Sequence, residues 1–295
     1  FSKGQVMPSL KEVKTKIVGV KKTAQITKAM NMVASAKLRG AQDKMEAFRP
    51  YTSKFNEAMS NLSGGSNTDS FPLMESRDVK TVEMIVITSD RGLCGSFNSN
   101  IIKLAEKKMR EYEAEGKEVS FVCVGKKGNQ ILRKTGKVRK AYVDIMASFQ
   151  MFNAREVATD VSENFLNGNA DKVEVLFGEF RSVAVQAPVA KDFLPVQPVE
   201  SEEETTEKIS GEYIYEPSTE EIMDVMQPLY LNVMIYHAML EVGASEHAAR
   251  MTAMDNATNA CKDIIENLTI VYNKARQAAI TAELMDIVGG AEALK

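Results

Sequence analysis

Apolar residues recur through the first fifty positions in alternating steps of three and four. Leu10, Val13, Ile17, Val20, Ala24, Thr27, Asn31, Ala34, Leu38, Ala41, Met45 and Phe48 fall on one line, a heptad seam over five repeats with two polar residues in its middle. Beside that interruption Ile26, Met30 and Val33 carry the apolar stripe one position over, as the drift of a straight helix against a heptad repeat predicts. The spacing predicts one long helix from Pro8. Pro50 is expected to bend or locally break this helix rather than end it, because Tyr51, Phe55, Met59 and Leu62 resume the steps. The run LSGGSNTDS at 62–70 then stops it.

The last third has the same period. Leu240, Ala244, His247, Met251, Met254, Thr258, Cys261, Ile265, Leu268, Tyr272, Ala275, Ala279 and Ala282 again step by fours and threes. Pro228 fits inside the first turns, and Gly289-Gly290 predicts an end near Val288. A helix of this length makes a rod of about 90 Å. Alanines at 275, 278, 279 and 282 let two backbones approach closely near its end.

Between these helices lies different material. VEMIVIT (82–88), VSFVCVG (119–125) and KVEVLFGEF (172–180) read as buried strands, with a further extended stretch at 183–196. Helical patterns at 97–114, 126–135 and 153–166 alternate with them. Alternation of this kind predicts an inserted α/β domain, Rossmann-like with a largely parallel sheet. The fold class is therefore α plus α/β. Residues 8–62 and 218–295 form an antiparallel coiled-coil shaft, 77–200 a globular foot, and 201–217 an acidic exposed loop or hairpin. A first helix running into the foot and a last helix running out of it can pair only antiparallel.

Composition narrows the classes. Of 295 residues 44% are hydrophobic and 26% charged, with a net charge of -3, which excludes a disordered chain. No run approaches the ~20 apolar residues of a membrane span. Cys94, Cys123 and Cys261 form no C-x-x-C pair, and only two His are present. Neither a structural zinc site nor a disulfide framework is expected, and a reducing compartment fits. Charge is uneven: residues 1–63 hold 12 Lys/Arg against 4 Asp/Glu, and residues 200–224 hold 10 Asp/Glu against 1 Lys. The start, FSKGQV before Met7, reads as neither a signal peptide nor an Arg-rich transit peptide and is set aside as an extension.

Candidate chemistry is sparse. ITSDRGLCGSFN (87–98) is a strand, a turn and a helix start, where phosphates often bind. However, Gly92 and Gly95 do not complete G-x-G-x-x-G, and no G-K-[ST] follows. Asp90 and Arg91 could form an acid–base pair, yet no nucleophile with a partner His is in view. His237 and His247 both lie on the last helix, His247 as a packed or hydrogen-bonded seam residue. Cys123 and Cys261 read as inert core residues, and Cys94 as a turn residue that could be exposed. The basic first helix spreads Lys11, Lys14, Lys16, Lys21, Lys22, Lys28, Lys37 and Arg39 over several faces without interleaved aromatics. That pattern fits an acidic protein socket at least as well as nucleic acid. No catalytic, cofactor or metal residues are assigned, and no nucleic acid partner. Read this far, the chain is a rigid adaptor with a long arm, a static coiled-coil scaffold being the alternative function and a nucleotide-dependent enzyme a third class.

Four segments carry a resemblance. KKTAQITKAMNMVASAKL (21–38), ITSDRGLCGSFN (87–98), EHAARMTAMDNAT (246–258) and YNKARQAAITAELMDIVGGAEA (272–293) resemble the gamma subunit of the rotary F-type ATP synthase, in the family's order and over essentially the whole chain. The last fits the family's C-terminal signature through Ile280-Thr281, Glu283, Asp286, Gly290-Ala291 and Ala293. The resemblance implies a central rotor shaft, one copy per complex, inside a ring of alternating alpha and beta subunits. Its foot would bind the epsilon subunit and rest on a membrane ring of c subunits that carries protons or sodium ions. It implies no enzyme activity in the chain itself, no cofactor, and a peripheral place on the cytoplasmic face of the plasma (inner) membrane. The pattern is bacterial, without the closely spaced dithiol of plant chloroplast members.

The resemblance also implies roles residue by residue. Lys28 and Met30, in ITKAM, resemble a rotor face near an acidic loop of beta. Arg250, in HAARM, and Arg276, Gln277, Thr281 and Glu283, in ARQAAITAEL, match coupling and beta-contact positions. Tyr213, Tyr215 and Glu216, in EYIYEP, resemble the segment that meets epsilon and the membrane ring.

Overall fold

The structure, a computed structural model, describes residues 9–65, 71–197 and 218–292. Tyr213, Tyr215, Glu216 and the acidic stretch of 201–217 lie outside the described residues. In chain order the elements are α1 (Leu10–Gly65), β1 (Thr81–Ile87), α2 (Phe97–Ala114), β2 (Glu118–Val124), α3 (Lys126–Leu132), β3 (Val138–Tyr142), α4 (Met151–Leu166), β4 (Lys172–Phe180), β5 (Gln186–Leu194) and α5 (Thr219–Glu292). They divide into two compact units, Phe1–Ala34 with Met251–Lys295, and Ser35–Arg250.

The first unit holds the start of α1 and the end of α5. Burial follows the heptad line: Val13 and Ala34 are 3% and 2% exposed, and Ile17, Val20 and Ala24 are half-buried. On α5, Cys261 is buried, while Ile265, Leu268, Tyr272, Ala275 and Ala279 are half-buried and their neighbours exposed. The two polar seam positions are satisfied across the interface. Thr27 Oγ1 lies 2.7 Å from Thr258 Oγ1, and Asn31 Nδ2 donates to the Met251 carbonyl at 2.8 Å. A step up α1 from 27 to 31 matches a step down α5 from 258 to 251, so the pair is antiparallel. Ile26 and Val33 are 60% and 57% exposed, so the stripe one position over stays outside the seam.

Two expectations about the helix ends are corrected. Gly289-Gly290 do not end α5, which continues to Glu292. Neither glycine takes the positive φ that closes a helix, and an exposed glycine inside a helix costs only about 1 kcal/mol. Ala282 is exposed, so the α5 seam stops at Ala279.

The second unit holds a five-stranded sheet of order β3-β2-β1-β4-β5. β1 runs parallel to β2 and to β4, with Met84 opposite Phe121 and Glu174. β2 and β3 are also parallel, and β5 closes the far edge antiparallel to β4, with Phe177 opposite Val189. The central strands are continuous apolar runs because both faces are covered; Ile85, Val86, Phe121, Val122 and Leu176 are fully buried. β3, VRKAY, escapes the sequence pattern. Three of its five residues are exposed, and Arg139 and Lys140 pair with Asp160, as an edge strand that must not recruit another chain requires.

Within this unit α1 and α5 also pack together. Phe48 meets Tyr236 edge-on at 5.0 Å between ring centres, and Phe55 stacks on Tyr230 at 6.5 Å. Pro50 stays inside α1. After it the seam passes through Thr52, not Tyr51, which is 49% exposed. Thr52 Oγ1 donates to the Phe48 carbonyl at 3.3 Å, which satisfies a hydroxyl placed on the seam within its own helix.

Glu241 ties α5 to both neighbours. Its side chain is 2% exposed and accepts from Arg49 Nη2 of α1 at 3.1 Å and from the Phe180 amide at the end of β4 at 2.8 Å. Ser245 Oγ adds a bond to the Gly178 carbonyl at 3.0 Å. Replacing Glu241 with Ala leaves a buried amide and a guanidinium without their acceptor. We expect Glu241→Ala to lose about 2 kcal/mol of stability, read from the denaturant midpoint of the full chain; a change within error would show that Glu241 fastens nothing.

Candidate functional site

Open α/β sheets bind ligands at the carboxyl edge where the winding reverses. Here the chain winds outward from β1 through β2 to β3 and returns to lay β4 on the other side of β1. Asp90, just past β1, occupies that edge. Its Oδ1 accepts from the amides of Lys126 at 2.9 Å and Asp144 at 3.0 Å, and its Oδ2 from Met146 at 2.9 Å. Three backbone donors from the loops after β2 and β3 thus converge on the chain's own carboxylate. The acid–base pairing of Asp90 with Arg91 has no support in this geometry, since Asp90 is spent on backbone.

The connection is tight throughout. Gly125 has φ +97, and a Cβ there would stand 2.1 Å from the Thr88 carbonyl oxygen. Ser89 and Asn98 close the turn after β1: Asn98 Nδ2 donates to Ser89 Oγ at 2.8 Å, and Ser89 Oγ to the Arg91 carbonyl at 2.6 Å. Cys94, a turn residue that the sequence left open to exposure, is 3% exposed. Burial pushes its thiol pKa up, against the lowering effect of Arg250.

Arg250 reaches this turn from α5. Its Nη2 donates to the Gly92 carbonyl at 3.1 Å, and it pairs with Glu246; the side chain is 11% exposed. Arg250 therefore acts inside the chain, holding a turn whose Leu93 has φ +63 and is 65% exposed. The other sequence-derived contact positions are not gathered with it. Lys28 is exposed and Met30 half-buried on α1. Arg276, Gln277, Thr281 and Glu283 are all exposed near the end of α5, with Thr281 Oγ1 bonded back to the Gln277 carbonyl at 2.9 Å. Around them Ile280, Leu284, Met285, Ile287 and Val288 are more than half exposed. Among the described residues no group of His, Cys, Asp and Glu could hold a metal ion, and no helix is long and apolar enough to cross a membrane.

Comparison with known proteins gives one answer. The family model described as ATP synthase matches residues 9–294. The ATP synthase gamma chain of Desulfotalea psychrophila is 76% identical over 290 residues, covering 98% of this chain and 100% of that one. The chain belongs to the ATP synthase gamma-chain family. The gamma chain of Nitratidesulfovibrio vulgaris (strain Miyazaki F) is 52% identical over 292 residues, covering 98% of this chain and 100% of that one. The fold matches a chain in the mitochondrial ATP synthase of Euglena gracilis, with TM-score 0.68, 21% identity, and 97% and 94% of the two chains covered. A chain of the central stalk and c-ring structure from Tetrahymena thermophila matches with TM-score 0.59 and 26% identity, over 79% of this chain and 99% of that one. As a gamma chain the protein is the rotor in the central stalk of an F-type ATP synthase, a non-catalytic subunit and a peripheral component of a membrane complex.

Some residues that matter in this rotor gave weak sequence signals. Glu241 betrays itself only as an acid inside the apolar stretch AMLEVGA. Asp90 stands in sequence beside Arg91 with no partner in view, and only the fold shows its three amide donors. His247 carries a measurable consequence. Burial lowers its pKa to about 4, helped by the positive charges of Arg250, Lys37 and Arg91, and its Nδ1 has no hydrogen-bond partner.

Two outcomes follow from this site. Asp90→Ala, which leaves three amides without their acceptor, should lower the stability of the full chain by about 2–3 kcal/mol. The wild-type chain should give no saturable calorimetric signal with ATP or ADP below the millimolar range, and a micromolar site would overturn the assignment of that edge to Asp90. The second outcome concerns pH. The unfolded chain protonates His247 near its ordinary value of about 6.5, and the folded chain only near 4. Between those values the unfolded state binds more protons, so stability present above about pH 6.5 is lost as pH falls toward 4. His247→Gln should flatten the pH dependence of the melting temperature over that window; an unchanged slope would assign the acid sensitivity elsewhere.

Proposed function

We propose that residues 8–62 and 218–295 act as the shaft and 77–200 as the foot of this rotor, and that its turning couples ion flow to ATP synthesis and hydrolysis. In this reading one copy stands within three alpha and three beta subunits, and the foot meets an epsilon subunit and a ring of c subunits. The complex sits on the cytoplasmic face of the inner membrane, with protons or sodium ions as the coupling ion. The shaft makes or breaks no bonds. Each orientation binds one beta conformation better than the others, and that differential affinity shifts the populations of the three catalytic sites in turn.

The observation that carries the reading is the end of α5. Exposed apolar Ile280, Leu284, Met285, Ile287 and Val288 crowd the end of α5, interspersed with exposed Thr281 and Glu283 and following exposed Arg276 and Gln277. Apolar exposure of this kind marks a surface meant for a partner. We assign Arg276, Gln277, Thr281 and Glu283 to contacts with beta. Arg250 contributes through the turn it holds, and Lys28 and Met30 face an acidic loop of beta. Tyr213, Tyr215 and Glu216 are assigned to epsilon and the c ring by their place in EYIYEP alone.

Met30→Lys tests the rotor face. It adds a cation where a neutral side chain passes carboxylates, and the new charge-assisted contact of ~1–3 kcal/mol must form at some angles and break at others. The helix accepts Lys nearly as well as Met. We expect the variant to assemble with alpha and beta in the wild-type ratio and to hydrolyse ATP. ATP-driven ion pumping in membrane vesicles should fall relative to hydrolysis, with partial recovery at high salt. Equal losses in hydrolysis and pumping, or failure to assemble, would make Met30 a packing residue.

A further inference from the structure

In the unit formed by Phe1–Ala34 and Met251–Lys295, α1 offers α5 two competing faces. One is the observed seam, Ala24, Thr27, Asn31 and Ala34, half of it polar and the rest alanine. The other is Ile26, Met30 and Val33, lying about 100° round the helix and more apolar at every position. Apolar burial alone favours the second face, since each Ile, Met or Val is worth roughly 1.5–3 kcal/mol when fully covered. The chain nevertheless keeps Ile26 and Val33 60% and 57% exposed.

What separates the two faces is hydrogen bonding. Thr258 Oγ1 lies 2.8 Å from the Met254 carbonyl and 2.7 Å from Thr27 Oγ1, which itself lies 3.1 Å from the Ala24 carbonyl; whichever hydroxyl turns its hydrogen across the seam, the other accepts. Asn31 Nδ2 reaches the Met251 carbonyl at 2.8 Å. Both Thr side chains are 9% exposed, so these bonds form largely out of water. Rolling α1 toward the apolar stripe would break both and carry Thr27 and Asn31 out of the interface.

We propose that Thr27, Asn31 and Thr258 are positioning residues of the rotor: their hydrogen bonds, against the apolar preference of α1, decide which side of α1 meets α5 and hold Ile26 and Val33 outward, with Met30 between them half-buried. Polar residues on a coiled-coil seam trade stability for one arrangement in the same way. The functional half of this inference rests on the rotor-face assignment of Met30 above; the conformational half does not.

The test reads the facing directly. Cys94, Cys123 and Cys261 are all buried, so a cysteine at Val33→Cys is the reactive thiol of the full chain. In that background Thr27→Ala with Asn31→Ala should shift the outward-to-inward equilibrium of α1 about tenfold, the shift that loss of two net hydrogen bonds produces, and slow labelling by a maleimide as the inward state fills. Thr27→Ser, which keeps the hydroxyl, should label as the parent does. Thr27→Ile with Asn31→Leu, which replaces hydrogen bonds by apolar burial on the seam, should also keep the parent rate. Where the double alanine variant fails to fold, the near-isosteric Thr27→Val reads one bond, with a shift of that equilibrium of about threefold. Unchanged labelling in the alanine and valine variants overturns the proposal. The same alanine pair, assembled in membrane vesicles, should lower pumping relative to hydrolysis. Slowed labelling with intact coupling would leave the lock standing and remove Met30 from the rotor face instead.

Discussion

The heptad spacing of two separate stretches of chain is the constraint on which the rest depends. Two helices share one interface only while both keep the same period, because each residue off the line turns by about 100° away from the partner. α1 keeps the period from Leu10 to Leu62 and α5 from Leu240 to Ala279. Everything placed on the line must therefore suit its opposite, whatever its chemistry. Thr27 and Asn31 sit there and find Thr258 and the Met251 carbonyl. Thr52 sits there and bonds its own helix. A seam with this much alanine and hydroxyl buries little for its length, which leaves hydrogen bonds an unusually large say in its geometry.

In the unit Ser35–Arg250 carboxylates satisfied within the chain take the corresponding role. Glu241 gathers Arg49 and the Phe180 amide, Asp90 gathers three loop amides, and Glu83, fully buried on β1, meets Arg139 of β3 at 2.6 Å. Each links segments far apart in sequence, and each is satisfied within the chain. A buried charge with its partners in place contributes modest net stability but resists displacement strongly, since moving either partner strands the other. That suits a body that must pass torque without yielding.

Periodicity made the long elements legible, and its failures have physical reasons. The pattern at 97–114 matches α2 residue for residue, and the run 172–180 matches β4. Both are dominated by burial, which is what apolar spacing reports. β3 was invisible because an edge strand satisfies its sheet with backbone and leaves Arg139 and Lys140 to solvent and to Asp160. The step from Thr52 to Tyr51 after Pro50 was ambiguous because both positions continue a three-four rhythm. The burial of Cys94 was not legible because its cover comes only with the folded turn, where Asn98 Nδ2 stands 3.2 Å from its Sγ. Site residues were the least legible. Arg250 was singled out only by the resemblance, as a coupling and beta-contact position, and only the fold shows its guanidinium against the Gly92 carbonyl.

The end of α5 shows which part of the structure the chain does not use for itself. From Ile280 to Glu292 every residue is exposed, yet the segment stays helical. Helix nucleation is the costly step and was completed far upstream, so each added residue needs only an ordinary propensity to continue. Ile280, Leu284, Met285, Ile287 and Val288 thus contribute little to the fold of their own chain. Covered by a partner, they would contribute through apolar burial, which has no preferred direction. The charged positions beside them, such as Arg276 and Glu283, form contacts that depend on distance and angle. On the proposed reading this divides the labour along one helix. Apolar residues let the shaft turn without a favoured angle, and charged residues distinguish one angle from the next.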